Sequence, residues 1–335
     1  MKKNYSRLIV CFLVVAVFLV ASIPGFAAVK YNWKLASVLP ASHPVNKALI
    51  MFAERVNVLT KGEVKITVFT DAQLGQEADY FQGCTIGSIE IIKVSSSPTA
   101  QYVPQMDALG MPFIWRNDDH QHKALNGKVG KMLNAYSELK GFKMLSYMDA
   151  GFRNFTLRDK PVKTPADLKG LKVRTQQSKL MLDVVAAFGA TAVPLGMGDV
   201  YSALSTKVID GWENNEPTVL SSNMQEVCKY FSYTRHSSVP DVLMMNLKAF
   251  NSVSKADQKA IMQAAKEATA SERLIWADYM GTVVDQLKKK GMIFNEVDDI
   301  KAFQTVVKPA VDKYVAESKV KADLTVLIKA IQDTK

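Results

Sequence analysis

The sequence predicts an α/β chain in two domains, joined by extended strands and by one long helix lying across both. Three observations carry this. Residues 33–94 run strand, helix, strand, helix, strand, and residues 151–217 repeat that alternation. A helical pattern then starts at Ser254 and continues for about 37 residues, roughly 55 Å at 1.5 Å per residue. The mean helix has only about 11–12 residues. The 335-residue length agrees, since single cores stop growing near ~250–300 residues.

Each element has a local signal. Residues 33–39 alternate as a strand, and His43-Pro44 opens a helix through Ala48, Phe52 and Val56 that ends at Lys61-Gly62. Residues 64–70 repeat with period two, residues 77–86 are helical, and residues 89–94 form an apolar strand-like run before Ser95. This order builds a parallel sheet, and ligands of such sheets sit beyond the carboxyl ends of the strands. Asn117-Asp118-Asp119 caps a helix running to about Leu139, and residues 142–149 are strand-like. In the second unit, strands are expected over 153–157, 171–175, 191–195 and 208–212, with helices over 178–188 and 198–206. Residues 227–233 and 239–247 are extended and long enough to pass between domains. Ser254 caps the long helix, with Asp257 as an acidic capping-box partner. The tail, residues 300–334, adds one or two amphipathic helices.

The amino terminus reads as a signal peptide over residues 1–27. Lys2, Lys3 and Arg7 precede an apolar run over 8–23, and Gly25 and Ala27 supply small residues for cleavage after Ala27. A retained anchor is the competing reading, but a span needs roughly 20 apolar residues. Cys11 follows Val10, not a small residue, which argues against a lipid-anchored cysteine. The formal charge of +10 comes from dispersed basic residues with no aromatic-interleaved patch, which excludes nucleic acid and suits an anionic ligand. Cys84 and Cys228 each lie in an apolar pattern and read as separate buried thiols.

The enzyme motifs are missing: there is no GxSxG, GxGxxG, P-loop or CxxC. His120-Gln121-His122 reads as an exposed helix start and not a metal site, and His236 as a hydrogen-bonding group between extended runs. His43 either lines a pocket or orients its loop. Arg153, in an alternating strand, and Arg174, at a strand end, either pair with structural carboxylates or hold an anion. A guanidinium presents paired donors that match a carboxylate. Asn214 and Asn215 close the same stretch.

Several motifs together resemble the solute-binding proteins of TRAP (tripartite ATP-independent periplasmic) transporters, of the dicarboxylate-binding-protein type. They are Gln73-Leu74-Gly75-x-Glu77, Met111-Pro112-Phe113, Gly151-Phe152-Arg153-x-x-Thr156, Leu171-Lys172-Val173-Arg174, Val200-Tyr201-x-Ala203-Leu204, Ile209-Asp210-Gly211-x-Glu213-Asn214 and Thr234-x-His236. They cover essentially the whole mature chain in order. The resemblance implies a two-domain periplasmic-binding-protein fold with hinge strands and a cleft that closes on an organic acid. By the same resemblance, domain I comprises residues 28–150 plus about 240–279, and domain II residues 151–239 plus about 280–335.

The resemblance also assigns site residues. Arg174 forms the main salt bridge to the ligand carboxylate, Arg153 assists, and Asn214 donates to the same group. Glu77 faces the other end of the ligand, and Ser95 and Met197 line the pocket. Met197 stands where the family often has an aromatic. The doubled asparagine, with His236 to Asp241 downstream, looks like members that bind sugar acids such as hexuronates. Asn215, Glu77, Ser95 and His43 supply hydroxyl partners, while Trp212 packs in the core. C4-dicarboxylates, hydroxy or keto acids and sialic acid are the alternative ligands. An exported sugar-acid enzyme or a ligand-presenting sensory protein is the alternative of another class. The implied protein is a periplasmic monomer with no cofactor and no catalysis, and its partners are the small and large TRAP membrane subunits.

Overall fold

A computed structural model describes residues 28–335. The signal-peptide assignment, with Cys11 and Ala27, falls outside them. The chain begins with β1 (Tyr31–Ala36), α1 (Pro44–Leu59), β2 (Val64–Phe69), α2 (Glu77–Ile86) and β3 (Ile91–Ser95). The three strands are parallel in the order β2-β1-β3, as their strand–helix alternation requires. Next come α3 (Asp118–Asn126), α4 (Lys128–Leu139) and β4 (Phe142–Met148).

One helix was expected over residues 118–139, and the structure has two. The break falls at Gly127 (φ −102°, ψ −139°). Neighbouring backbone packs so tightly there that a Cβ on Gly127 would lie 2.8 Å from the Lys123 carbonyl oxygen. The expected exposed helix start is also corrected. His120 and Gln121 are buried, and the His120 ring lies 2.8 Å from the Ile331 carbonyl.

The second sheet gathers β5 (Phe152–Leu157), β6 (Lys172–Thr175), β7 (Thr191–Pro194), β8 (Gly211–Asn214), β9 (Tyr230–Ser238) and β11 (Ile293–Glu296), in the order β11-β9-β5-β8-β6-β7. Strands β6, β7 and β8 are mutually parallel, and β5 runs antiparallel to β8 and β9. The short edge strand β11 was not anticipated. The intervening helices used below are α5 (Lys179–Ala187) and α6 (Glu216–Ser221). The chain then returns to the first sheet as β10 (Asp241–Asn246), between β3 and β4 and antiparallel to both.

Two strand crossings therefore lie side by side, one between β4 and β5 and one between β9 and β10. Phe152 registers with Ser238 and Met148 with Asp241. Ser238 Oγ donates to the Gly151 carbonyl at 2.9 Å, and Gln121 Nε2 donates to Ser238 Oγ at 3.0 Å.

The third connection is α7 (Lys255–Lys289), a 35-residue helix about 53 Å long. Ser254 caps it by accepting from the Asp257 N–H, and Lys288 and Lys289 face the negative end of its dipole. Its first half packs Ile261, Ala265 and Ala268 into the core beside the first sheet. Its second half packs Val283 and Leu287 against the core that holds Trp212 and Phe231. Between these halves, the buried Glu272 accepts from the Asp149 N–H at 3.2 Å, tying the helix to the first crossing.

The tail forms α8 (Ile300–Glu317), packed on α5, and α9 (Lys321–Gln332), packed on α4. The chain end thus touches both sheet systems. Cys84 and Cys228 are free and buried in different clusters, and burial pushes each thiol up to about 12.

The first crossing turns on Gly151, at φ +57°. A Cβ there would lie 3.1 Å from Trp276 Cζ2 and 3.4 Å from Asn215 Cβ. L-residues pay roughly 1–2 kcal/mol in this backbone region. Gly151→Ala is expected to lower the unfolding free energy in urea by about 1–2 kcal/mol; an unchanged midpoint and slope would contradict this account of the crossing.

Candidate functional site

The carboxyl ends of β1 and β3 face the carboxyl ends of β6 and β8 across a cavity. Because β5 and β10 run antiparallel to these neighbours, their amino ends, with Arg153 and Asp241, arrive at the same place. The walls come together around a small cavity with about 40 Å³ of free volume. Arg153, Arg174, Asn214, Asn215, Met197, Glu77, Ser95 and His43 all line it. So do Lys93, Gln176, Thr218 and Asp241, which the sequence reading did not select.

The second-sheet wall holds two buried arginines in different states. Arg153 is paired within the protein. Its Nε contacts Glu213 Oε2, its Nη2 donates to Glu213 Oε1 at 2.8 Å and to the Glu213 carbonyl at 2.7 Å, and its Nη1 reaches Asn214 Oδ1 at 3.3 Å. Glu213 is fully buried. Burial alone would raise its carboxyl, but Arg153 and the nearby His236 ring outweigh that and bring it down to about 2. Burial in turn holds His236 below its usual range, against the pull of Glu213.

Arg174 is 3% exposed and has no carboxylate partner among the described residues. Its Nε and Nη2 both donate to the Leu195 carbonyl, at 2.9 and 2.7 Å, which fixes one edge of the guanidinium. Burial, reinforced by the Arg153 charge, brings it down to about 10 despite the attraction of Glu213. It remains a cation at neutral pH. The structural-pairing alternative therefore describes Arg153, and Arg174 is the cation left over. Beside it, Asn214 Oδ1 takes the Asn215 N–H and Arg153, while Gln176 Oε1 is buried without a partner among the described residues.

The first-sheet wall is built on Lys93, 1% exposed, in a strand that is buried throughout. Its Nζ lies 2.8 Å from Asp241 Oδ2. Ser95 Oγ donates to the other oxygen, Asp241 Oδ1, at 3.0 Å, and the Ser95 N–H donates to Glu77 Oε1 at 2.9 Å. Burial raises the Glu77 carboxyl, against the pull of Lys93. A signal for Lys93 did exist in the sequence. It is the lone charge inside Ile91-Ile92-Lys93-Val94, where an unpaired ammonium is too costly to bury.

Other predicted residues join the two walls. His43 Nδ1 caps α1 by accepting from Val45 N, so Nε2 carries the proton and donates to Thr218 Oγ1 at 3.3 Å across the cavity. Both ends of the Asn215 amide are engaged. Oδ1 caps α6 through Thr218 N at 2.8 Å, and Nδ2 donates to the Ala150 carbonyl at 2.7 Å. Asn215 thus fastens the crossing as well as lining the cavity. Met197 sits between Gly196 and Gly198, where the backbone comes close to Gln76 of the opposite wall. Gly198 N donates to Gln76 Oε1 at 3.1 Å, and a Cβ on Gly198 would fall 2.3 Å from Gln76 Nε2. Trp212 is fully buried in the core, as expected. Among the described residues no cluster of three His, Cys, Asp or Glu is placed to hold a metal ion.

The buried His43 gives the fold a pH dependence. Burial, then the charge of Lys93, lowers this imidazole to about 3 from its usual 6.5. The unfolded chain therefore binds a proton that the folded chain refuses. Stability is complete above about pH 6.5 and falls as pH drops toward 3, by at most about 1.4 kcal/mol per pH unit. Glu213 acts lower: its contribution is present above the ordinary glutamate range and is lost as pH falls toward 2. Asn keeps the cap without the titration. Urea unfolding of His43→Asn at pH 7 and pH 5 is expected to show a smaller loss than wild type, by up to about 2 kcal/mol; equal losses would contradict the assignment.

The family model for bacterial extracellular solute-binding protein, family 7, matches residues 35–318. A solute-binding protein of Chromohalobacter salexigens is 33% identical over 302 residues, covering 90% of this chain and 89% of its own. Two solved TRAP periplasmic solute-binding proteins share the architecture. One, from a Bradyrhizobium species in complex with α/β-D-galacturonate, has a TM-score of 0.86 at 33% identity, covering 90% of this chain and 100% of its own. The other, from Roseobacter denitrificans with bound β-D-glucuronate, has a TM-score of 0.88 at 31% identity, covering 91% and 100%. With a two-sheet α/β fold and this match over residues 35–318, the chain belongs to the family 7 solute-binding proteins of TRAP transporters.

Proposed function

We propose that this protein captures a sugar acid, best a hexuronate, between its two sheet systems and delivers it to the small and large membrane subunits of a TRAP transporter. The observation that carries the proposal is Arg174: a buried cation on the cavity wall, with no carboxylate of its own among the described residues. A ligand carboxylate supplies the missing charge, and Asn214 and Gln176 stand beside it. Glu77, Ser95 and His43 face it from the opposite wall. The hexuronate assignment draws on the galacturonate and glucuronate held by the two solved relatives.

In this reading the domains divide as 28–150 plus about 240–279 and 151–239 plus about 280–335, and they close on the ligand. A molecule that touches both walls binds the closed form better and shifts the population toward it. The contacts of Gln76 with Gly198 and of His43 with Thr218 then act as closure contacts. The protein works as a periplasmic monomer after cleavage near Ala27. In this reading it binds its ligand without catalysis.

A thermal-shift screen over organic acids checks the proposal. Galacturonate or glucuronate at about 100 times its dissociation constant stabilises by about 2.7 kcal/mol, and small-angle scattering is expected to show a smaller radius of gyration. A screen in which only C4-dicarboxylates shift the melting temperature, or binding without compaction, would overturn it.

A further inference from the structure

We infer that Lys93 and Asp241 are a specificity-determining pair that reads the ligand's hydroxyls and restricts the site to acids with a single carboxylate. The inference rests on the sugar-acid reading above and goes beyond its anchor to the opposite wall.

The pair is built into the centre of the first sheet. Asp241 registers with Ser95 across β10 and β3, and Leu243 with Lys93. Lys93 and Asp241 are therefore diagonal neighbours on one face, within reach for long side chains. That face opens on the cavity, and both residues line it. A buried ion pair adds little net stability over apolar side chains of similar volume. Its use here is chemical. Asp241 Oδ2 lies 2.8 Å from Lys93 Nζ as an ion pair, and Nζ makes no hydrogen bond among the described residues, so its protons are open to a ligand oxygen. Glu77 takes the Ser95 N–H on Oε1 only.

A hydroxyl is both donor and acceptor. It can accept from Lys93 while donating to Glu77 or Asp241. A carboxylate can only accept, and at this wall it would face two acidic side chains. The charge balance of the lining points the same way. Arg153 pairs with Glu213 and Lys93 with Asp241, so among the described residues Arg174 is the one cation on the lining without an acidic partner. One carboxylate satisfies it. A second has no cation of its own and is disfavoured by the acidic neighbours, which is discrimination by repulsion.

Galacturonate and galactarate carry the same carbon skeleton with one carboxylate or two, and calorimetry on both tests the inference. Wild type is expected to bind galacturonate at least about tenfold tighter, the size of one charged contact. The double variant Lys93→Met/Asp241→Asn removes both charges together, so no buried charge is left alone and folding is retained. It is expected to lose about 10- to 100-fold in galacturonate affinity and to bring the two acids within about threefold of each other. Asp241→Asn alone is expected to strengthen galactarate relative to galacturonate. Equal wild-type affinities for the two acids would overturn the inference, with no variant needed. So would a folded double variant that keeps wild-type affinity and preference. In either case galacturonate still binds and the transport reading stands. Wild type that binds neither acid would overturn both together.

Discussion

One charge left without a partner organises this molecule. Two arginines from strands on either side of β8 reach the same cavity, and both are buried. Glu213 comes from β8, the neighbour of both β5 and β6. It gives both carboxylate oxygens to Arg153 and leaves Arg174 with no acid of its own among the described residues. The Leu195 carbonyl holds one edge of Arg174 and so aims the group without neutralising it. A buried, aimed and uncompensated guanidinium is costly for the protein alone and favourable once an anion arrives. Under the proposed function, that asymmetry ties ligand capture to the closing of the two walls.

The scaffold serves the same end. Antiparallel β5 and β10 deliver Arg153 and Asp241 from their amino ends to where the parallel strands deliver Ser95, Arg174 and Asn214 from their carboxyl ends. The two crossings run side by side, and Glu272 of the long helix ties that helix to one of them. Two side chains that line the cavity also fasten the frame. Asn215 holds the Ala150 carbonyl and caps α6, and His43 caps α1 and reaches Thr218. The proposed binding and closure therefore share residues.

Much of this was legible in the sequence because it is written in short-range chemistry. Ser254 with Asp257 marks the start of the long helix, and strand–helix alternation gives both sheets. Arg174 could be picked out as a carboxylate-sized fork at a strand end, and family resemblance gathered the other lining residues. What was hidden depends on partners far away in the chain. Arg153 and Arg174 look alike until Glu213 is seen to serve only one of them. Asn215 looks like a ligand donor until its amide is found capping α6 and holding Ala150. Lys93 hides in an apolar strand because its counter-ion, Asp241, lies on β10. The helix breaks at Gly127 through a non-helical backbone conformation (φ −102°, ψ −139°) that periodicity cannot register.

The central claim is that Arg174 supplies the charge a ligand carboxylate neutralises. Isothermal titration of Arg174→Ala with galacturonate, beside wild type, tests it most directly. Removing one partner of a buried charge pair costs roughly 2–5 kcal/mol, so affinity is expected to fall by about 30- to 4000-fold while the variant keeps its wild-type circular dichroism. A folded Arg174→Ala that binds galacturonate within about threefold of wild type would contradict the account.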